Sequence, residues 1–218
     1  MLDALICDFD GVIVDTETPD YETWRDVFLA HGADLDRGLW SGMIGSEKEK
    51  FDVFDHLEAV AGLKVDRDAI AFERRERYLS LVHSSPIRPG VYDYLKDAGQ
   101  IGLRLGVASS SQRAWVEGHL EKRGLLSYFE CVVAREDVAK VKPDPEVYVA
   151  AIEKLGTSPS RAVAIEDSLN GVIAAKQAGM SCVAVPNPMT ADMAFDSADY
   201  FLEELSEIRL GALLAKLP

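Results

Sequence analysis

Four short stretches carry residue types that could do chemistry. In Leu2 to Asp15 an apolar run of β-type residues reaches Asp8, alternates to Asp10 and breaks at Gly11. Residues two apart on a strand share a face, so both carboxylates can project from one strand end into one small volume. Such a pair either shares a cation or holds a proton, unless Asp10-Gly11 is simply a turn. Ser109-Ser110-Ser111 follows Leu105-Gly106-Val107-Ala108 and offers hydroxyls and amides at a helix start, where an anion is favoured, although Ser111 could equally cap that helix. Lys140-Val141-Lys142-Pro143 follows a third strand; loop lysines are usually solvated, but the proline biases Lys142 toward extended backbone. Glu166-Asp167 ends a fourth strand, Ala162 to Ile165, and could instead cap the next helix.

Taken together, these ends supply carboxylates, hydroxyls and an ammonium. Ligands of open parallel sheets bind beyond the carboxyl ends of strands. Hard oxygen donors without a Cys/His pattern point to Mg²⁺ rather than zinc, and the mixture suits phosphoryl transfer. Competing motifs are absent: there is no dinucleotide glycine spacing after a strand, no G-x-x-x-x-G-K-[ST] loop, no G-x-S-x-G elbow and no H-E-x-x-H. His31, His56, His83 and His119 stand singly in expected helices and read as filler.

The elements that must position these groups fall into two grammars. Helices are expected from Thr18-Pro19 to Gly32, with Thr18 as N-cap, from Asp36 to Met43, from the capping box Ser46 to Glu49 up to Gly62, and over Asp66 to Val82. Ser84 to Gly90, with two prolines, is a linker. Beyond it strands at Leu103 to Ala108, Phe129 to Ala134, Ala162 to Ile165 and Cys182 to Val185 alternate with helices, and Glu203 to Leu217 reads as a final amphipathic helix. That alternation predicts an α/β fold, a Rossmann-like, doubly wound parallel sheet. Residues 1–15 and 86–218 form the expected α/β core, and 16–85 an all-helical insertion.

Composition bounds the partners. The 218 residues are 48% hydrophobic and 28% charged, and Lys plus Arg 23 against Asp plus Glu 37 gives a net charge of −14. Nucleic acid and anionic membrane surfaces are therefore not expected partners, and small anionic metabolites need local positive charge. Cys7, Cys131 and Cys182 lie far apart in apolar runs, which predicts reduced thiols. With no basic leader and no membrane-length apolar run, a cytoplasmic location is expected. Nothing in the sequence sets an oligomeric state.

Asp8-Phe9-Asp10-Gly11-Val12, Ser109-Ser110, Lys142-Pro143 and Glu166-Asp167 resemble, in order and placement, the four motifs of the haloacid dehalogenase superfamily. The helical insertion resembles the small cap of its β-phosphoglucomutase and phosphoglycolate phosphatase branch, which makes residues 1–15 and 86–218 the catalytic core and 16–85 its cap. The resemblance implies a Mg²⁺-dependent phosphatase acting on a small phosphorylated metabolite, such as a sugar phosphate, a nucleotide or phosphoglycolate. It makes Asp8 the nucleophile, forming an aspartyl phosphate. Asp10 becomes the acid and base whose backbone carbonyl also ligates the metal. Ser109 and the Ser110 amide hold phosphoryl oxygens, and Lys142 balances the charge. Asp167 ligates the metal, with Glu166 in support, so the metal set is Asp8, Asp10 and Asp167.

Asp20, Ser46 and Arg74 are the cap positions taken as substrate-facing. Arg74, Arg75 and Arg77 could also form a solvated face, with Glu73 and Glu76 interleaved. The branch's mutases typically carry a histidine where Asp20 stands and an arginine where Glu47 stands, which lowers the phosphomutase alternative. A third reading is a non-catalytic phosphometabolite-binding protein.

Overall fold

The structure is a computed structural model that describes residues 2–44 and 51–218. Six parallel strands form one sheet in the order β3-β2-β1-β4-β5-β6. They are β1 (Ala4–Cys7), β2 (Arg104–Ala108), β3 (Cys131–Val133), β4 (Ala162–Glu166), β5 (Ser181–Ala184) and β6 (Tyr200–Phe201). The expected α/β architecture is present. β6 is a two-residue strand beside β5, too short to leave a periodic signal in the sequence.

Alternation along the strands divides the core in two. Leu5, Cys7, Leu105, Val107, Val163, Ile165 and Val183 face one side. There they meet Leu95 of α5 (Val91–Ile101), Leu120 of α6 (Arg113–Lys122) and Leu213 of α9 (Leu210–Leu214). Ala4, Ile6, Ala162, Ala164 and Ala184 face the other, against Tyr148 of α7 (Glu146–Lys154) and Val172 of α8 (Leu169–Gln177). Small side chains on that face let two helices approach the sheet closely. The three cysteines are free thiols, Cys7 and Cys182 being buried.

Between β1 and β2 the described chain is helical: α1 (Glu17–Ala30), α2 (Arg37–Ser41), α3 (Val53–Ala61) and α4 (Arg67–Ser84). Trp24, Phe28, Leu35, Trp40, Ile44 and Leu57 form a third cluster there, closed from the core side by Met189. Entry and exit lie side by side, since Val14 bridges Ile87 and the Arg88 amide donates to the Ile13 carbonyl at 3.0 Å. No helix among the described residues is long and apolar enough to cross a membrane.

Three local expectations change. Helix α1 begins at Glu17, one residue before the expected Thr18 cap; the Asp15 carboxylate accepts from the Thr18 amide at 3.0 Å, and the Thr16 hydroxyl at the N-cap is turned to Asp10. The Ser46 capping box lies outside the described residues, and α3 is capped by Asp52, which accepts from the Phe54 and Asp55 amides. The tail is a 3-10 turn, Leu205–Glu207, followed by the five residues of α9, because its apolar residues anchor to the sheet in separate short segments.

Candidate active site

The register explains why distant residues meet. Cys7 sits opposite Val107 of β2 and Ile165 of β4, so Asp8, Ser109 and Glu166 emerge at nearly the same level of three adjacent strands. Gly11, at φ +77°, turns the chain sharply after Asp10, and a Cβ there would lie 1.9 Å from the Asp167 carboxylate. Only glycine tolerates both that conformation and that approach.

Lys142 reaches the same place from the loop after β3. Its ammonium is 2.7 Å from Asp8 Oδ1 and 2.7 Å from Glu166 Oε1, and donates to the Ala108 carbonyl at 2.8 Å. At 2% exposure it is not the solvated loop lysine that residue type alone favours. Burial works against its charge, but the attraction of Asp8 and Glu166 prevails and holds the ammonium above the usual lysine range. Burial pushes the Asp8 carboxyl up to about 7, aided by Glu166 and Asp10 and opposed by Lys142. Asp167 is raised well above the carboxylate range by burial first and then by Asp8 and Glu166.

One oxygen each of Asp8, Glu166 and Asp167 can be taken within 4.8 Å of the others. Three buried carboxylates thus crowd around one lysine, with their charge incompletely balanced. Hard, closely spaced oxygen donors short of positive charge are what Mg²⁺ requires, so the residues fit that ion. Tyr148 donates to Glu166 Oε1 at 2.6 Å, and Glu166 Oε2 accepts from the Asp167 amide at 3.1 Å. Asn187 donates to Asp167 Oδ2. Arg88 donates to the carbonyls of Gly11, Val185 and Pro186, tying the turn after β1 to the loop after β5.

Asp10 is held separately. Its Oδ1 accepts from the Thr16 hydroxyl at 2.8 Å and the Trp115 indole at 2.9 Å, and its Oδ2 from the Ser111 hydroxyl at 2.6 Å. Both aspartates line one cleft, yet only Asp8 joins the carboxylate cluster. Ser111 is not the cap of α6, which begins after Gln112. Ser109 Oγ accepts from the Ser111 amide at 3.0 Å, while the buried Ser110 hydroxyl has no hydrogen-bond partner, an orphan donor suited to an anionic oxygen.

The cleft has a volume of about 390 Å³ and is closed from the helical side by Glu17, Asp20, Ile44, Arg75 and Tyr78. Asp20 thus faces the cleft. Arg74 does not line it: its guanidinium lies 2.6 Å from Asp20, donates to the Thr23 hydroxyl at 3.1 Å, and sits over Trp24 and Tyr78. On the helical side the arginine that lines the cleft is the next one, Arg75, and Arg135 lines it from the core. Ser46 lies outside the described residues. None of the four histidines lines the cleft. Asn187 stands just past the fifth strand end, where inspection of strand ends finds it; Trp115 has only its place one turn beyond Ser111, and Arg88 nothing but its position in the linker.

The chain matches the model of the haloacid dehalogenase-like hydrolases over residues 5–185. It is 45% identical over 217 residues to the Bacillus subtilis protein named "Putative phosphatase YhcW", covering 100% of this chain and 98% of that one. It is 31% identical to the validoxylamine A 7'-phosphate phosphatase of Streptomyces hygroscopicus, covering 96% and 97%. Crystalline CbbY from Rhodobacter sphaeroides in complex with phosphate superposes with a TM-score of 0.74 at 30% identity, covering 95% and 96%; a CbbY mutant has also been crystallised with xylulose-(1,5)bisphosphate. With family model, relatives and fold in agreement, this chain belongs to the haloacid dehalogenase-like hydrolases and is an enzyme of their phosphatase branch.

Proposed function

We propose that the protein is a Mg²⁺-dependent phosphatase of a small phosphate monoester, working through an aspartyl phosphate on Asp8. The observation that carries this reading is the division of labour between two aspartates: Asp8 against Lys142 in the carboxylate cluster, Asp10 among three donors away from it. Asp8, the Asp10 backbone carbonyl and Asp167 would hold Mg²⁺, with Glu166 behind them; bound there, the ion supplies positive charge that lets a carboxylate approach an anionic phosphate. Lys142 adds a fixed charge beside Asp8.

In the first step an Asp8 oxygen bonds to phosphorus, the ester P–O bond breaks, and the leaving oxygen takes a proton from Asp10. In the second, water attacks phosphorus, Asp10 takes its proton, and the bond to Asp8 breaks to release phosphate. Ser109 and Ser110 hold phosphoryl oxygens. Residues 16–85 act as a cap over the core of 1–15 and 86–218, hinged at the paired crossings near Asp15 to Pro19 and Ser84 to Pro89, and exclude bulk water. A sugar phosphate is favoured as substrate by the xylulose bisphosphate complex of the CbbY mutant. The free cysteines suit a reducing, cytoplasmic setting.

The test is phosphate release from p-nitrophenyl phosphate and a panel of sugar phosphates, nucleotides and phosphoglycolate, with and without Mg²⁺. Wild-type protein should turn over only with the metal, and Asp8→Asn should be inactive. Activity surviving Asp8→Asn removes Asp8 as nucleophile. Isomerised product without free phosphate, primed by a bisphosphate, makes the protein a mutase.

A further inference from the structure

Asp10 is joined to the helical segment through a continuous line of rings. The Trp115 indole that donates to Asp10 Oδ1 stacks on Tyr78 of α4, with ring centroids 5.7 Å apart and planes 11° apart. Tyr78 in turn carries the Arg74 guanidinium 5.4 Å from its centroid, and Arg74 is fixed by Asp20 at 2.6 Å and by the Trp24 ring at 4.5 Å. His119, one turn further along the same helix α6, packs edge-on to Trp115 with centroids 4.1 Å apart. Trp115 is thus held between a neighbour on its own core helix and Tyr78 of the insertion.

The hydrogen bonds give this clamp a chemical meaning. A carboxylate oxygen accepts about two hydrogen bonds, and an indole N–H can only donate. Oδ1 is filled by Thr16 and Trp115, whereas Oδ2 holds Ser111 alone. The geometry leaves one site on Oδ2 for exchange of a proton with a leaving oxygen or a water. Without the indole, the carboxyl could rotate and present either oxygen.

We propose that Trp115 is a positioning residue for Asp10, and that the Tyr78–Trp115 stack makes this positioning depend on the seat of α4 over the core. The inference rests on the reading of Asp10 as the proton donor to the leaving group. An ester with a poorly departing alkoxide needs that proton; p-nitrophenolate departs largely without it. The effect of a displaced donor therefore depends on the leaving group, which general damage to the fold does not.

The experiment measures kcat/KM, which reports the step that breaks the ester bond, for an alkyl phosphate substrate from the panel and for p-nitrophenyl phosphate. Wild type, Trp115→Phe, Tyr78→Leu and Asp10→Asn are compared, each checked by thermal melting. Trp115→Phe should lose roughly 10- to 100-fold on the alkyl ester and only about 3-fold or less on the nitrophenyl ester, within the range general acid catalysis provides. Tyr78→Leu, which leaves the indole in place, should lose selectively in the same sense but less, and it carries the test if Trp115→Phe does not fold. Equal losses on both esters, or none, in variants that melt normally while Asp10→Asn is selective overturn this inference alone. A non-selective Asp10→Asn removes the proton-donor role itself and the inference with it.

Discussion

Charge balance governs the site residue by residue. Among the described residues Lys142 is the ammonium that touches the carboxylate cluster of the site, and it touches Asp8 and Glu166 together. Removing one partner of a buried ion pair leaves an uncompensated charge, at about 3 to 5 kcal/mol. Lys142→Met should therefore lower stability by that order in urea unfolding without metal and reduce turnover of p-nitrophenyl phosphate by roughly a hundredfold or more. A variant with unchanged turnover would show that the lysine serves packing alone. Sequence reading marked Lys142 only through its companions, since a lysine before a proline is unremarkable by itself. The substrate-facing choice of Arg74 rested on charge and helix position. The structure gives that arginine to Asp20, Trp24 and Tyr78 and turns Arg75 to the cleft, because neighbours on a helix point about 100° apart.

Elements matter here through how closely they approach. Helix α8 starts directly over Glu166: Ser168 caps it by accepting from the Gly171 amide at 3.1 Å, and a Cβ on Gly171 would fall 2.0 Å from the Glu166 carboxyl atoms. Gly171→Ala must push that carboxylate off Tyr148 and Lys142 or move the helix. It should destabilise the protein by about 1 to 3 kcal/mol, the usual range for overpacking, and depress turnover together with it. Denaturant unfolding and the p-nitrophenyl phosphate rate measure both, and an unchanged pair of values would mean that Glu166 is loosely held. The start of α1 departs from the expected Thr18 cap for a related reason. Two threonines compete as caps, and only the fold places Asp10 where the Thr16 hydroxyl can reach it. Likewise Ser111, a plausible cap by type, is drawn to Asp10 across 101 positions of sequence.

For the molecule as a whole, the fold gathers the carboxylates of Asp8, Glu166 and Asp167 into one small volume. A ligand that binds only the folded state stabilises it by about 2.7 kcal/mol at a hundred times its dissociation constant. Mg²⁺ titrated into the metal-stripped protein should raise the melting temperature, and Asp167→Asn should abolish most of that rise; a melting temperature indifferent to Mg²⁺ would argue against a magnesium site in the carboxylate cluster. By itself the sequence determined the parallel α/β sheet, the helical insertion, the strand ends at which Asp8, Asp10, Ser109, Glu166 and Asp167 stand and the loop after the third strand that carries Lys142, because strand and helix periodicity and turn chemistry are local. Tertiary structure alone decided that Lys142 also pairs with Glu166 and that Asp10 is held by Thr16, Ser111 and Trp115. It also decided that Asn187 backs Asp167 and that Arg88 ties two loops together. Those partners come from separate elements, and no local pattern encodes which of several possible donors a buried carboxylate will meet.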